Sequence, residues 1–386
     1  MTSLRFFAAL LVVSYHVSHY VPSMSFALDA TAIANVGVTF FFVLSGFVLT
    51  WSHRPGNGAR VFYWRRLARL WPLYALACAV ALAMLALRHR PVPDLAHVTA
   101  VLLMVQSWNP DLDWHYGVNI PAWSLSAEAF FYAMFPLLVR GVMSRRARGP
   151  LSVVAYFIVL TPALLGFLPS LGAHYNISSL YVAPYVRIGE FLAGMLLAGA
   201  MRRGWRPPFG VATAMILGVG SYVVVQAIDV TAVPGRTSLS NGMVTALLII
   251  PIMALISTVA ASDLAPGRRP LAHPALVRLG DWSYALYLLH CPFVLALGAV
   301  SVGWTRAAAV LASAGVVVGV LLLAGVAYTA VERPIEARLR PLVRARGSRG
   351  RHAEARRPAP STATGHMPGT SSSFSRTAYM TASIRE

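Results

Sequence analysis

Apolar runs of bilayer-spanning length recur along this chain, separated by short connections that are either arginine-rich or aromatic. An α-helix needs about 20 apolar residues to cross a membrane. On that measure the sequence predicts about ten helices, over 4–20, 34–51, 71–87, 123–139, 151–168, 184–201, 209–228, 242–261, 282–300 and 307–331. The connections alternate in charge. Arg54, Arg60, Arg65, Arg66 and Arg69 follow the second run; Arg140, Arg145, Arg146 and Arg148 follow the fourth. Arg202, Arg203 and Arg206 follow the sixth, and Arg268, Arg269 and Arg278 the eighth, whereas the opposite connections hold only Arg88, Arg90, Arg236 and Arg306. Because basic loops stay on the cytoplasmic side, the alternation predicts that both termini are cytoplasmic. Asp94–Ser107 is apolar but too short for a span, and reads as re-entrant or interfacial, with Trp108–Tyr116 at headgroup level. The expected fold is an all-α polytopic membrane protein. A membrane-embedded unit covers 1–335, and a tail over 336–386, Arg-rich and then Pro/Ser/Thr-rich, reads as disordered. The first run loosely imitates a signal peptide but carries inward polar residues, so it is read as a retained helix.

Composition narrows the class. Of 386 residues, 57% are hydrophobic and 12% charged, with a mean hydropathy of +0.63, which excludes an ordinary soluble domain. The formal charge of +19 follows the loops and the tail, so it argues for lipid contact and not for nucleic acid. Every basic residue is arginine, none lysine, amid abundant Ala, Gly and Pro. That usage fits a GC-rich bacterial genome and hence a bacterial plasma membrane. Cys78 and Cys291 both fall in apolar runs and argue neither a disulfide nor a metal site. No internal repeat of the transporter kind is visible.

Candidate chemistry lies in the polar residues these helices carry. Arg5 and His16 are eleven positions apart, about three turns, so they share a stripe about 16 Å long. Ionisable groups at such depth face a bundle interior or a wet cavity; the alternative has Arg5 snorkelling to the headgroups and His16 bonding another helix. Ser45, Gly46 and Gly37 are small residues that permit close helix approach. Arg66 and Arg69 share a face, which makes a bidentate phosphate seat, and Pro72 suits the first turn of the helix after them. Glu128, Tyr132 and Ser124 form a polar stripe, with Arg5 or Arg187 as possible partners for the carboxyl; Arg187 and Glu190, three apart, can also satisfy each other. Tyr284, Tyr287 and His290 line one face, while Cys291, about 100° away from His290, reads as core.

These segments, in this order, resemble the acyltransferase-3 family of integral-membrane acyltransferases. The matching pieces are Arg5 with His16, Phe41-Phe42-Val43-Leu44-Ser45-Gly46, Arg66 and Arg69 with Pro72, Trp123-Ser124-Leu125-Ser126 with Glu128 and Tyr132, Tyr284 through Pro292, and Glu332-Arg333-Pro334. Two departures stand out: no acidic residue precedes Leu4, and Thr39 replaces an aspartate common in the family. The resemblance implies transfer of an acyl group from acyl-CoA, a co-substrate and not a resident cofactor, to a hydroxyl. The acceptor would be a sugar, a macrolide-type metabolite or a cell-envelope polysaccharide, with no metal involved. It also implies His16 and Glu128 as catalytic residues and Arg5, Arg66 and Arg69 as the CoA seat. Ser45, Tyr132, Arg187, Tyr287 and His290 are expected to meet substrate. A proton-coupled exporter and an assembly partner are the rivals from other classes; the first works without acyl-CoA, and the second tolerates loss of His16.

Overall fold

A computed structural model describes residues 1–54, 58–143, 181–230, 241–265 and 270–339. Among these residues there is no strand. The long helices are α1 (Thr2–Tyr20), α2 (Val36–Ser52), α3 (Ala59–Leu87), α4 (Trp123–Met143), α5 (Pro184–Arg202), α6 (Val211–Val230), α7 (Asn241–Leu264), α8 (Pro274–Val300) and α9 (Arg306–Ala327). A π-helical turn, Tyr328–Glu332, joins α9 to the short α10, Arg333–Leu339.

Six of the described helical stretches are long and apolar enough to cross a membrane: Ala59–Leu87, Ile120–Met143, Val211–Asp229, Met243–Leu264, Pro274–Val300 and Arg306–Leu339. This is a multi-pass membrane protein. The other expected spans fall short of that test for visible reasons. Helix α2 is apolar but only 17 residues long. Helices α1 and α5 interrupt their apolar faces with Arg5, His16 and His19, and with Arg187, Glu190 and Arg202. The run at 151–168 lies outside the described residues, as do Arg145, Arg146, Arg148, Arg236, Arg268, Arg269 and the tail from 340.

Helix boundaries depart from the hydropathy reading where arginine is involved. Helix α3 begins at Ala59, so Arg65, Arg66 and Arg69 are helical and Pro72 sits well inside, not at the first turn. Basic residues are good helix formers, and they carry the helix back through the polar connection. Proline there removes one backbone bond, which neighbouring helices make tolerable in a membrane bundle. Helix α8 likewise starts at Pro274, earlier than its apolar run. Pro334 does not end the last helix; the widened turn just before it lets the chain continue into α10. The segment after α3 forms an eight-residue helix, Leu95–Leu102, about 12 Å long and unable to span. Its cap, Asp94, accepts a hydrogen bond from the His97 backbone N–H, which holds this exposed carboxyl below its ordinary range.

Two close helix contacts position the site. Helices α1 and α8 lie side by side, with Gly280 against the Thr2 carbonyl and Gly298 against that of Tyr20. Helices α2 and α5 meet glycine to backbone in both directions. A Cβ on Gly46 would fall 2.9 Å from the Phe191 carbonyl carbon, and one on Gly194 would fall 2.8 Å from the Phe47 nitrogen. Such approach is what small residues allow in membrane bundles, where packing drives association. Around these contacts Phe47, Phe131, Phe191, Leu197 and Tyr74 are essentially fully buried.

A candidate active site with an arginine end and a histidine end

The bundle brings most of the sequence-selected residues to two places along α1. At the arginine end, Arg5 from α1, Ser45 from α2, Arg66 and Arg69 from α3 and Glu128 from α4 are all half-buried. Glu128 Oε1 accepts hydrogen bonds from Tyr132, one turn on, and from Ser45 at 3.2 Å. Of the stripe read from spacing, Glu128 and Tyr132 meet here and are joined by Ser45 of α2, whereas Ser124 bonds Tyr287 at the other end. The Arg66 guanidinium lies 5.9 Å from the ring centres of both Phe62 and Tyr132. Its buried Nε has no hydrogen-bond partner among the described residues. Arg69 feels the carboxylates of Glu332 and Glu336 from the π turn and α10. A cluster of guanidiniums suits an anionic group such as a phosphate.

At the histidine end, His16 and His290 face each other inside the protein, only 8% and 1% exposed. His290 Nε2 is 3.0 Å from His16 Nδ1. His16 Nδ1 is also 2.9 Å from the Val12 carbonyl oxygen, and His290 Nδ1 is 3.2 Å from that of Leu286. Tyr20 stacks on His16 with ring centres 5.9 Å apart, and Tyr15 meets it edge-on at 5.3 Å. Tyr287 is hydrogen-bonded to Ser124 at 2.8 Å and approaches Phe41, with ring centres 5.8 Å apart. The expected roles of Tyr287 and His290 thus fall beside His16, while Ser45 and Tyr132 fall at the arginine end.

Arg187 forms a buried pair of its own, beside Trp123, the neighbour of the Ser124 that bonds Tyr287. It pairs with Glu190 at 3.1 Å, donates to Thr39 at 3.3 Å, and lies over the Tyr181, Phe42 and Trp123 rings, 4.5, 5.3 and 5.7 Å from their centres. The self-satisfying pair allowed by the three-residue spacing is what forms, and Thr39 supports it.

Several site residues were not evident from sequence. Phe62 is one turn before Arg66 and supplies a ring beneath its guanidinium. Glu332, named in the sequence match but not expected at this end, is buried within the π turn. Asn119 donates to the Leu288 carbonyl at 2.9 Å. A signal for this bond existed: Pro292 has no N–H, so the carbonyl four residues earlier is left without its helical partner. The donor atoms of His16, His290 and Cys291 lie within 4.8 Å of one another, a grouping that could hold a metal ion. Their ligand types suit zinc or copper, but the Val12 carbonyl beside His16 Nδ1 favours a proton on that nitrogen.

Comparison with known proteins bears on this arrangement. Residues 1–328 match the acyltransferase-3 family, described as an acyltransferase domain. The chain belongs to that family. Acyltransferase-3 relatives include the acyltransferase MdmB of Streptomyces mycarofaciens, 32% identical over 86% of this chain and 90% of its own length. The exopolysaccharide production protein ExoZ of Rhizobium meliloti is 30% identical over 83% of this chain and 96% of its own. The O-acetyltransferase OatA of Staphylococcus aureus is 24% identical over 76% of this chain, which spans only 50% of that longer relative. No solved structure matches. The protein is therefore a membrane acyltransferase, transferring groups other than aminoacyl groups.

Proposed function

We propose that this acyltransferase moves an acetyl or short branched acyl group from acyl-CoA to a hydroxyl of a sugar or macrolide-type metabolite, in a bacterial plasma membrane. The observation that carries the reading is the buried His16, held by a second imidazole about 16 Å along α1 from a cluster of arginines. In this reading Arg66 and Arg69 hold the CoA phosphates, with Arg5 beside them or guiding the pantetheine arm inward. Ala9, Val12 and Val13 are fully buried between the two ends, so helices must part to admit the arm. His16 then takes the proton of the acceptor hydroxyl as its oxygen attacks the thioester carbon. The C–S bond breaks and the departing CoA sulfur recovers the proton. An alternative within the class has His16 carry the acyl group covalently before the acceptor arrives. A cell-envelope polysaccharide acceptor is the second reading, favoured by the likeness to ExoZ and OatA.

The test is transfer of labelled acetyl from acetyl-CoA by protein reconstituted in nanodiscs, against a panel of sugar, macrolide and polysaccharide acceptors. Arg66→Gln is expected to raise KM for acetyl-CoA by about 10–100-fold, the worth of a charge-assisted hydrogen bond of about 1.5–3 kcal/mol, with a much smaller change in kcat. Acetyl-pantetheine, which lacks the nucleotide phosphates, should respond little to the substitution. Equal loss with both donors would remove the phosphate role. Acceptor accumulation in vesicles without acyl-CoA would replace the enzyme reading with export.

A further inference from the structure

The hydrogen bonds at the histidine end fix where the protons are. The Leu286 carbonyl oxygen can only accept, so His290 carries its proton on Nδ1 and leaves a lone pair on Nε2. That lone pair faces His16 Nδ1 at 3.0 Å, so His16 must donate there. The Val12 carbonyl at 2.9 Å demands the same proton on the same nitrogen. Two acceptors therefore share the His16 Nδ1–H, and His16 Nε2 keeps its lone pair.

We infer that His290 is the positioning residue for His16, a neutral imidazole acceptor that orients the base and shares its Nδ1 proton. The inference rests on the acyl-transfer reading and reassigns a residue expected to meet substrate. In Ser-His-Asp sites a carboxylate holds the far side of the base and stabilises the imidazolium that forms during transfer. A carboxylate inside a bilayer carries a heavy desolvation cost, and Glu128 is engaged at the other end by Tyr132 and Ser45. His290 supplies the same acceptor without a resident charge. When the acceptor hydroxyl gives its proton to His16 Nε2, the positive charge spreads over two hydrogen-bonded rings; when the CoA sulfur takes that proton, both rings return to neutral. The stacking of Tyr20 on His16 holds the plane that keeps this bond aligned.

The experiment compares His290→Leu, which removes the acceptor, with His290→Gln, whose amide oxygen can reach the place of Nε2. In nanodiscs with acetyl-CoA, His290→Leu should lose about 10²-fold in kcat with KM for acetyl-CoA nearly unchanged, and His290→Gln should recover about tenfold of that loss. Thermal unfolding and size-exclusion of both variants separate this from misfolding. The inference is overturned if His290→Leu retains wild-type kcat, or if His290→Gln is no better than Leu. It is also overturned if the purified wild type holds a transition metal that His290→Gln loses, since His290 would then be a ligand. A wild type with no turnover from acyl-CoA defeats the acyl-transfer reading itself, and the variants then address nothing else.

Discussion

His16→Ala is expected to lower acyl transfer by about 10³-fold or more, in the upper part of the range for losing a positioned general base. Protein level and membrane insertion should be retained. The substitution removes the imidazole that meets His290, but the close backbone contacts of α1 with α8, at Thr2–Gly280 and Tyr20–Gly298, do not involve it. His19→Ala is the matched control. It lies three residues on, is exposed, and among the described residues its hydrogen bond and ring contact are both to Tyr15 of its own helix. It should leave turnover near wild type. Rapid quenching with intact-mass analysis of the wild type decides between direct transfer and an acyl-His16 intermediate. Retained turnover in His16→Ala would falsify the assignment of the base.

The second large effect concerns the crossing of α2 and α5. Gly46→Ala places a methyl inside contact distance of the Phe191 carbonyl oxygen and 3.0 Å from the Met195 nitrogen. Neither obstacle is a flexible side-chain end, so α5 must retreat by about an ångström. That retreat undoes packing around Phe47, Phe191 and Leu197, and a loss of about 3 kcal/mol is expected, the upper end for overpacking. Gly194→Ala meets the reciprocal obstacle at Val43 and Phe47 and should behave alike. The double variant should cost less than the sum, because one retreat accommodates both methyls. Gly315→Ala and Gly319→Ala in α9 find open space and should be neutral or slightly stabilising, as alanine is the better helix former. Thermal unfolding in a single detergent gives the comparison; a wild-type midpoint for Gly46→Ala would show that the two backbones are not in contact.

How much was legible in the sequence depended on the kind of information. Helix positions followed from hydropathy because the bilayer imposes a length, and the Arg5–His16 stripe followed from helical period alone. The Gly46 contact was readable as small-residue packing, although its partner, Phe191 on α5, was not. Spacing also offered two fates for Arg187, and the buried pair with Glu190 is the one that forms. What could not be read was contact between distant segments. His290 and His16 are separated by 274 positions, and nothing periodic joins them. Cys291 was judged from its neighbour on one helix, which could not reveal that α1 brings His16 to the same spot. The helix starts at Ala59 and Pro274 were missed because a hydropathy reading stops where charge begins, whereas backbone propensity does not.

The bond from Asn119 to Leu288 has a mechanical consequence. Pro292 leaves bare the carbonyl one turn before it in the helix that carries His290, and a side chain from the polar segment before α4 closes it. The same segment reaches Tyr287 through the Pro121 carbonyl at 3.3 Å. A loop that touches a helix at its proline break acts as a lever on the weakest point of that rod. Any movement of the 106–122 segment is therefore passed through Asn119 and Pro121 to the turn of α8 that also carries His290.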